Sequence, residues 1–300
     1  MKNVIECVPN ISEGIDRASI EAIASAVRAT PGVRLLGVSS DPSHNRSVLT
    51  FMGDADAVAA AVDALFSAAL PQINLTRHKG EHPRMGAVDV VPLIPIRGAT
   101  VEDCVALSRR IGASIAERYA VPVYLYEDSA SSENRRNLAD IRKGEFEGFF
   151  EKIGEPKWKP DFGPDAPHAT AGVVAVGARA PLIAYNINLG TRDVSIADRI
   201  ARAIRHIGGG FRYVKAMGVD LADRGCVQVS INMTNYKKSP LHRVFECVRS
   251  EAERYGVAVI GSEIVGLTPA EALFITAEHY LRLEGFSSDQ VLEMRLLEEE

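Results

Sequence analysis

The stretch HKGEHPRMG, residues 78–86, gathers two histidines, a lysine, a glutamate and an arginine around Gly80, Pro83 and Gly86. Imidazole titrates near neutrality, so a histidine held in such a loop can take up and return a proton at working pH. His78 and His82 are four residues apart, a spacing that puts two metal ligands on one helix face. Gly80 and Pro83 interrupt a helix there, the H-E-x-x-H order is absent and no third ligand follows nearby. Three readings stand for the pair: acid–base chemistry by at least one ring, which is favoured, hydrogen bonding within the loop, and metal binding. In DPSHNR, residues 41–46, Arg46 and Asn45 enter a strand. They make either a carboxylate-binding corner, for which guanidinium is well shaped, or a plain turn. The small residues of DFGPDAPHATAG, residues 161–172, make either a linker or a wall whose backbone comes close to a flat ligand. Nucleotide-binding glycine loops, a G-x-S-x-G elbow and a cysteine in a nucleophile setting are absent from the sequence. Covalent catalysis is therefore not indicated.

The elements around these stretches follow from hydrophobic periodicity. Strands are expected at 4–8, 33–38, 47–52, 87–96, 121–126 and 173–176, with helices at 20–27, 55–69, 101–118 and 136–142. The histidine loop thus lies between an alanine-rich helix and a strand of Val88, Val90, Val91, Leu93, Ile94 and Ile96. Reactive groups are commonly carried on loops between rigid elements of this kind. A second set follows: strands at 182–188, 213–219, 226–233 and 257–265, and helices at 196–207 and 241–255. Gly208, Gly209 and Gly210 read as a helix stop, and residues 270–297 read as helical. Strand, helix, strand, strand, helix, strand occurs twice, which is the split βαβ or ferredoxin-like order. The expected architecture is α+β: two such subdomains, 1–181 and 182–300, side by side with a ligand cleft between them.

Bulk properties narrow the class. Of the 300 residues, 46% are hydrophobic and 24% charged, as in a globular protein with a full-sized core. A net charge of −5 argues against nucleic acid as partner. Cys7, Cys104, Cys226 and Cys247 are widely spaced without a C-x-x-C pair, so they read as buried free thiols in a reducing compartment. Neither a signal peptide nor an apolar run long enough for a bilayer is legible, so no membrane partner is expected and the cytoplasm is the expected location.

From end to end the sequence resembles the glutamate formiminotransferase family. The resemblance is carried by ECVPNISEG (6–14), NRSV (45–48), HKGEHPRMGAVDVVPLIPI (78–96), VPVYLYED (121–128) and WKPDFGP (158–164), then LIAYNINL (182–189), QVSINMTN (228–235) and GSEIVGL (261–267). It implies transfer of the formimino group of N-formimino-L-glutamate to N5 of tetrahydrofolate in histidine breakdown. Tetrahydrofolate is then a co-substrate, polyglutamylated forms included, no metal is required, and the protein is a homodimer. It also implies that His82 is the catalytic acid–base residue. The folate contact it implies runs through Gly163, Pro164, Asp165, Ala166, Pro167, His168, Ala169, Thr170, Ala171 and Gly172. At Ala171 the chain departs from the family's animal members, which carry an aromatic residue there. Arg46 and Arg84 are the expected anchors for substrate carboxylates; Lys79 reads as solvated. The family also occurs fused to a cyclodeaminase domain, and this chain is expected to lack that activity. Two other functions compete: formyl transfer or cyclisation using 5-formyltetrahydrofolate, and a catalytically silent folate-binding protein. A metal-dependent hydrolase is weakened by the missing third ligand.

Overall fold

A computed structural model describes residues 3–298, which divide into two compact units, the first ending at Arg179 and the second beginning at Ala180. In the first unit, β1 (Val4–Cys7) and β2 (Asn10–Ile11) are two parts of one path broken at Pro9. They lead through α1 (Arg17–Arg28), β3 (Arg34–Asp41), β4 (Arg46–Gly53) and α2 (Ala55–Ala69) to β5 (Val88–Arg97). Each of these helices starts where an aspartate can cap it: Asp16 accepts from Ala18 N, and Asp54 from Asp56 N and Ala57 N. The apolar stripe of α1, Ile20, Ile23, Ala24 and Val27, is buried. In β4 alternation does the same work, burying Ser47, Leu49, Phe51 and Gly53. β4 and β5 both pair antiparallel with β1 and β2, and β3 lies on the outer side of β4.

The unit continues with α3 (Val101–Tyr119), β6 (Val123–Leu125), α4 (Leu138–Arg142), α5 (Glu145–Lys152) and β7 (Val174–Ala178). α3 opens with a reciprocal capping box between Thr100 and Asp103. β7 runs parallel to both β5 and β6, extending the sheet to seven strands. Parallel strands are normally covered on both faces. Here Leu107, Ile111 and Ile115 of α3 belong to one core, and Tyr124, Ile141, Phe149 and Trp158 form another with Val90 and Ala175. This is why β5 is a continuous apolar run, buried from Val88 through Ile94.

The second unit contains β8 (Ile183–Leu189), α6 (Val194–Ile204), β9 (Val214–Leu221), β10 (Cys226–Met233), α7 (Leu241–Arg254) and β11 (Val259–Val265). Its four strands are antiparallel in the order β11–β8–β10–β9. Two further helices follow, α8 (Ala270–Leu281) and α9 (Leu292–Glu298). The molecule is thus α+β with two sheets, and among the described residues no helix is long and apolar enough to cross a membrane.

Several element readings need correction. The helical reading of 270–297 is interrupted at Arg282, which takes a left-handed conformation at φ 53°. The 196–207 helix ends at Ile204, because Arg205 is extended and Gly209, at φ 88°, closes a separate short turn. The 136–142 helix begins at Leu138, where Asn137 supplies the cap. α5 is absent from the sequence reading: it follows Gly144 at φ 94°, and its buried Phe146 and Phe149 enter the first and the second core respectively.

Candidate active site

Three of the motifs meet at one place in the first unit. His78, His82 and Arg84 line a pocket with Ile11, Ser12, His44, Asn45, Arg46 and Asp89. The 78–86 loop is fixed by its glycines and its neighbours. A Cβ on Gly80 would lie 2.4 Å from His44 O, and Glu81 N donates to Ser43 O at 3.2 Å. Ser12 Oγ donates to Gly86 O at 2.8 Å. Asn45 is held at φ 47°, a conformation asparagine tolerates better than most residues. Its amide bonds hold it there: Gly14 N donates to its Oδ1 at 2.8 Å, and its Nδ2 donates to Lys79 O at 2.9 Å.

The two histidines have different surroundings. His78 Nε2 lies 2.8 Å from Asn45 O, and Arg84 Nε donates to His78 Nδ1 at 3.3 Å. That pair of bonds makes Nε2 the protonated nitrogen and gives the ring a bracing role. His82 is half-buried, its ring edge-on to His44 at a centroid distance of 6.0 Å. Among the described residues no hydrogen bond engages either of its ring nitrogens. Burial, then the positive charges of Arg46 and Arg142, push its pKa from 6.5 down to about 4, with Asp89 pulling the other way. The ring is therefore neutral at physiological pH and can accept a proton.

Arg46, the first residue of β4, donates from Nε to Asn10 Oδ1 at 2.7 Å, and its Nη2 reaches the same oxygen. Its closest partner is thus a neutral amide, and its pKa is lowered by burial and by repulsion from Arg142. Arg84 differs: Nη1 meets Glu145 Oε2 at 2.8 Å and Nη2 meets Glu147 Oε1 at 2.6 Å, both from α5. Its charge is already balanced. Lys79 is exposed.

Sequence reading missed two charged residues. Asp89, buried in β5, accepts from Met85 N at 2.7 Å through Oδ1 and from Arg142 Nε at 2.8 Å through Oδ2. The available signal was a single acid inside an apolar strand, since a buried carboxylate needs a partner. Arg142 ends α4, whose last carbonyls are capped by Lys152: Nζ donates to Asp140 O at 3.0 Å, Ile141 O at 2.6 Å and Lys143 O at 2.9 Å.

The 163–172 segment is anchored at both ends. Gly163 takes φ 96° against Val121 and Pro122. Beside it, Asp161 binds Leu125 N at 2.7 Å and Arg135 at 2.7 Å. At the other end His168 and Gly172 exchange backbone bonds of 2.9 Å, Thr170 O accepts from Leu75 N, and Ala171 O accepts from Ala87 N. Gly86 and Gly172 bridge directly, and a Cβ on either would meet a carbonyl oxygen at 2.1 Å. The segment therefore joins the histidine loop at 85–87, with residues 163–166 exposed. The linker reading does not describe it. The motifs of the second unit lie on β8, β10 and β11, where Gln228 Nε2 donates to Asn188 Oδ1 at 2.9 Å and to Glu263 Oε1 at 3.0 Å.

The pocket beside His82 has room for about one water molecule, so it admits a single functional group of a ligand. Among the described residues no cluster of three or more His, Cys, Asp or Glu side chains is arranged to hold a metal ion.

Comparison with known proteins agrees over both units. The pattern of the formiminotransferase domain, N-terminal subdomain, matches residues 4–179, and that of the formiminotransferase domain matches residues 184–296. A glutamate formimidoyltransferase of Streptococcus pyogenes serotype M1 is 50% identical over 298 residues, covering 99% of this chain and 100% of that protein. One from Thermoplasma acidophilum is 45% identical over 296 residues, covering 98% and 97%. A formimidoyltransferase-cyclodeaminase of Sus scrofa is 44% identical over 293 residues, which is 95% of this chain and 54% of that protein.

Proposed function

Because the chain belongs to the formiminotransferase family, we propose that it is a glutamate formimidoyltransferase. It moves the formimino group of N-formimino-L-glutamate to N5 of tetrahydrofolate and releases L-glutamate. The observation that carries the mechanism is a neutral imidazole, His82, beside an arginine whose partner is a neutral amide.

N5 of tetrahydrofolate, a secondary amine, attacks the formimino carbon and forms a tetrahedral intermediate. The attacking nitrogen must lose a proton and the glutamate nitrogen must gain one before the C–N bond to glutamate breaks. His82 takes the first proton and returns it to the departing nitrogen, a role typically worth about 10²–10⁴ in rate. Its lowered pKa keeps the acceptor form populated, and the imidazolium, repelled by Arg46 and Arg142, readily gives the proton back. Arg46 anchors a donor carboxylate. The 163–172 segment lies along tetrahydrofolate, its small residues letting the backbone approach a flat ring. Alignment of the two reactants supplies much of the remaining acceleration. With this reading go a place in histidine degradation, a cytoplasmic location and a homodimer.

The test is direct. Purified protein is incubated with formiminoglutamate and tetrahydrofolate, the mixture is acidified, and the folate product is read by ultraviolet absorbance. Product dependent on both substrates is expected. Product from 5-formyltetrahydrofolate alone would overturn the assignment in favour of the formyl reaction.

A further inference from the structure

The Asp89–Arg142 pair does more than balance a buried carboxylate. We propose that Arg142, oriented by Asp89, is a specificity-determining residue: together with Arg46 it binds the α-carboxylate of the formimino donor beside His82. The proposal rests on the transferase reading above and adds to it a residue and the part of the substrate it recognises.

Three observations support it. First, Arg142 stands directly behind a residue of the pocket wall. Asp89 lines the pocket, and its Oδ2 carries the Arg142 guanidinium through Nε and Nη2. Second, each arginine keeps one nitrogen in reserve. Arg142 uses Nε and Nη2 on Asp89, Arg46 uses Nε and Nη2 on Asn10, and among the described residues neither Nη1 has a protein partner. Third, buried positive charge is in excess. Arg46 and Arg142 repel one another across a site where Asp89 is the buried counter-charge. The other carboxylates near it, Asp41, Glu145 and Glu147, are 51%, 44% and 65% exposed and engage His44 and Arg84. Two half-buried guanidiniums sharing one buried carboxylate lack one negative charge.

The α-carboxylate fits that deficit by connectivity. The formimino group is carried on the α-nitrogen of glutamate, so the α-carboxylate lies two bonds from the atom that His82 must protonate. The γ-carboxylate and the folate tail lie farther along their chains. The pocket has room for about one water molecule, so a carboxylate enters it with one oxygen and a ring does not enter. Binding that anion also offsets the two charges that disfavour imidazolium, so the donor itself makes His82 a better base.

The experiment compares wild type with Arg142→Met and with the double variant Asp89→Asn/Arg142→Met. The double variant removes the unpaired buried carboxylate and keeps an acceptor for Met85 N. For both variants the KM for formiminoglutamate should rise about tenfold to a hundredfold, the range for loss of a charged hydrogen-bond partner. The KM for tetrahydrofolate should stay within about twofold. The donor analogue 4-(formiminoamino)butyrate, which lacks the α-carboxylate, should be used equally by wild type and variants. In parallel, NMR titration of His82 should show its midpoint raised by L-glutamate in wild type, unmoved by 4-aminobutyrate, and raised already in ligand-free Arg142→Met. Equal losses on both donors, or a glutamate-induced shift that survives in both variants, would overturn the proposal. If wild type turns over no formiminoglutamate, the transferase reading fails, and the L-glutamate titration still judges the carboxylate site by itself.

Discussion

Replacing His82 by Asn separates catalysis from folding, because the ring is held by packing rather than by hydrogen bonds. At pH 7.5 the imidazole is neutral in both the native and the unfolded chain, so its titration adds nothing to stability there. Losing its edge contact with His44 costs about 0.5 kcal/mol. Turnover, by contrast, should fall by about 10²–10⁴. In acid the two proteins diverge. The unfolded chain protonates His82 near its ordinary value of 6.5, whereas the native ring resists until about 4. The stability linked to this ring is therefore fully present above pH 6.5 and is lost as pH falls from there through 4. Taken whole, the shift is worth about 2.5 kcal/mol at pH 4.5; screening by solvent at a ring only partly buried reduces this to about 1–2 kcal/mol. The variant escapes that loss and should be the more acid-resistant protein. Urea unfolding of both proteins at pH 7.5 and at pH 4.5, with initial rates at pH 7.5, tests both halves. A variant with near-normal turnover refutes the proton relay. A variant as acid-sensitive as the parent refutes a ring desolvated and flanked by cations.

Other substitutions test the frame around it. Gly86→Ala would drive a methyl to 2.1 Å from Val173 O and should cost about 3 kcal/mol or more in chemical denaturation, with activity falling alongside. Arg135→Met strands the Asp161 carboxylate, since both side chains are about nine-tenths buried; a loss of about 3–5 kcal/mol is expected, with Tm as the measurement. Arg84→Met frees two exposed glutamates and unbraces His78. It should cost about 1 kcal/mol and alter the donor KM less than Arg46→Met, as steady-state kinetics on the two variants will show.

The parts of this fold legible in the sequence are those where local pattern and tertiary environment agree. α2 is legible in its alanine-rich repeat, and β10 in its alternation. β2 was missed because two residues beside a proline carry no periodic signal; their pairing with β4 and β5 makes them a strand. α5 is not legible because its phenylalanines among glutamates make a weak stripe until two cores receive Phe146 and Phe149. The site divides in the same way. The histidine loop and Arg46 stand out because loop composition and strand entry are local features, while the choice of His82 over His78 comes from the family resemblance. Arg142 does not, since nothing in its surroundings distinguishes it from Arg135 or Arg136; its significance comes from Asp89, more than fifty residues earlier in the chain. The lone acid in β5 was the readable half of that pair.

The parallel pairing of β5 with β7 sets an order on biosynthesis. Residues 78–97 leave the ribosome well before Val174–Ala178, and the backbone bond from Val173 N to Met85 O closes only after the later segment has emerged. Until then the nascent histidine loop lacks its partner, and a strand apolar on both sides waits uncovered, a species prone to wrong association. A ribosome stalled just before the later segment holds a chain whose histidine loop, Arg46 and Arg142 have been synthesised but not yet assembled, so competence arrives in one late step.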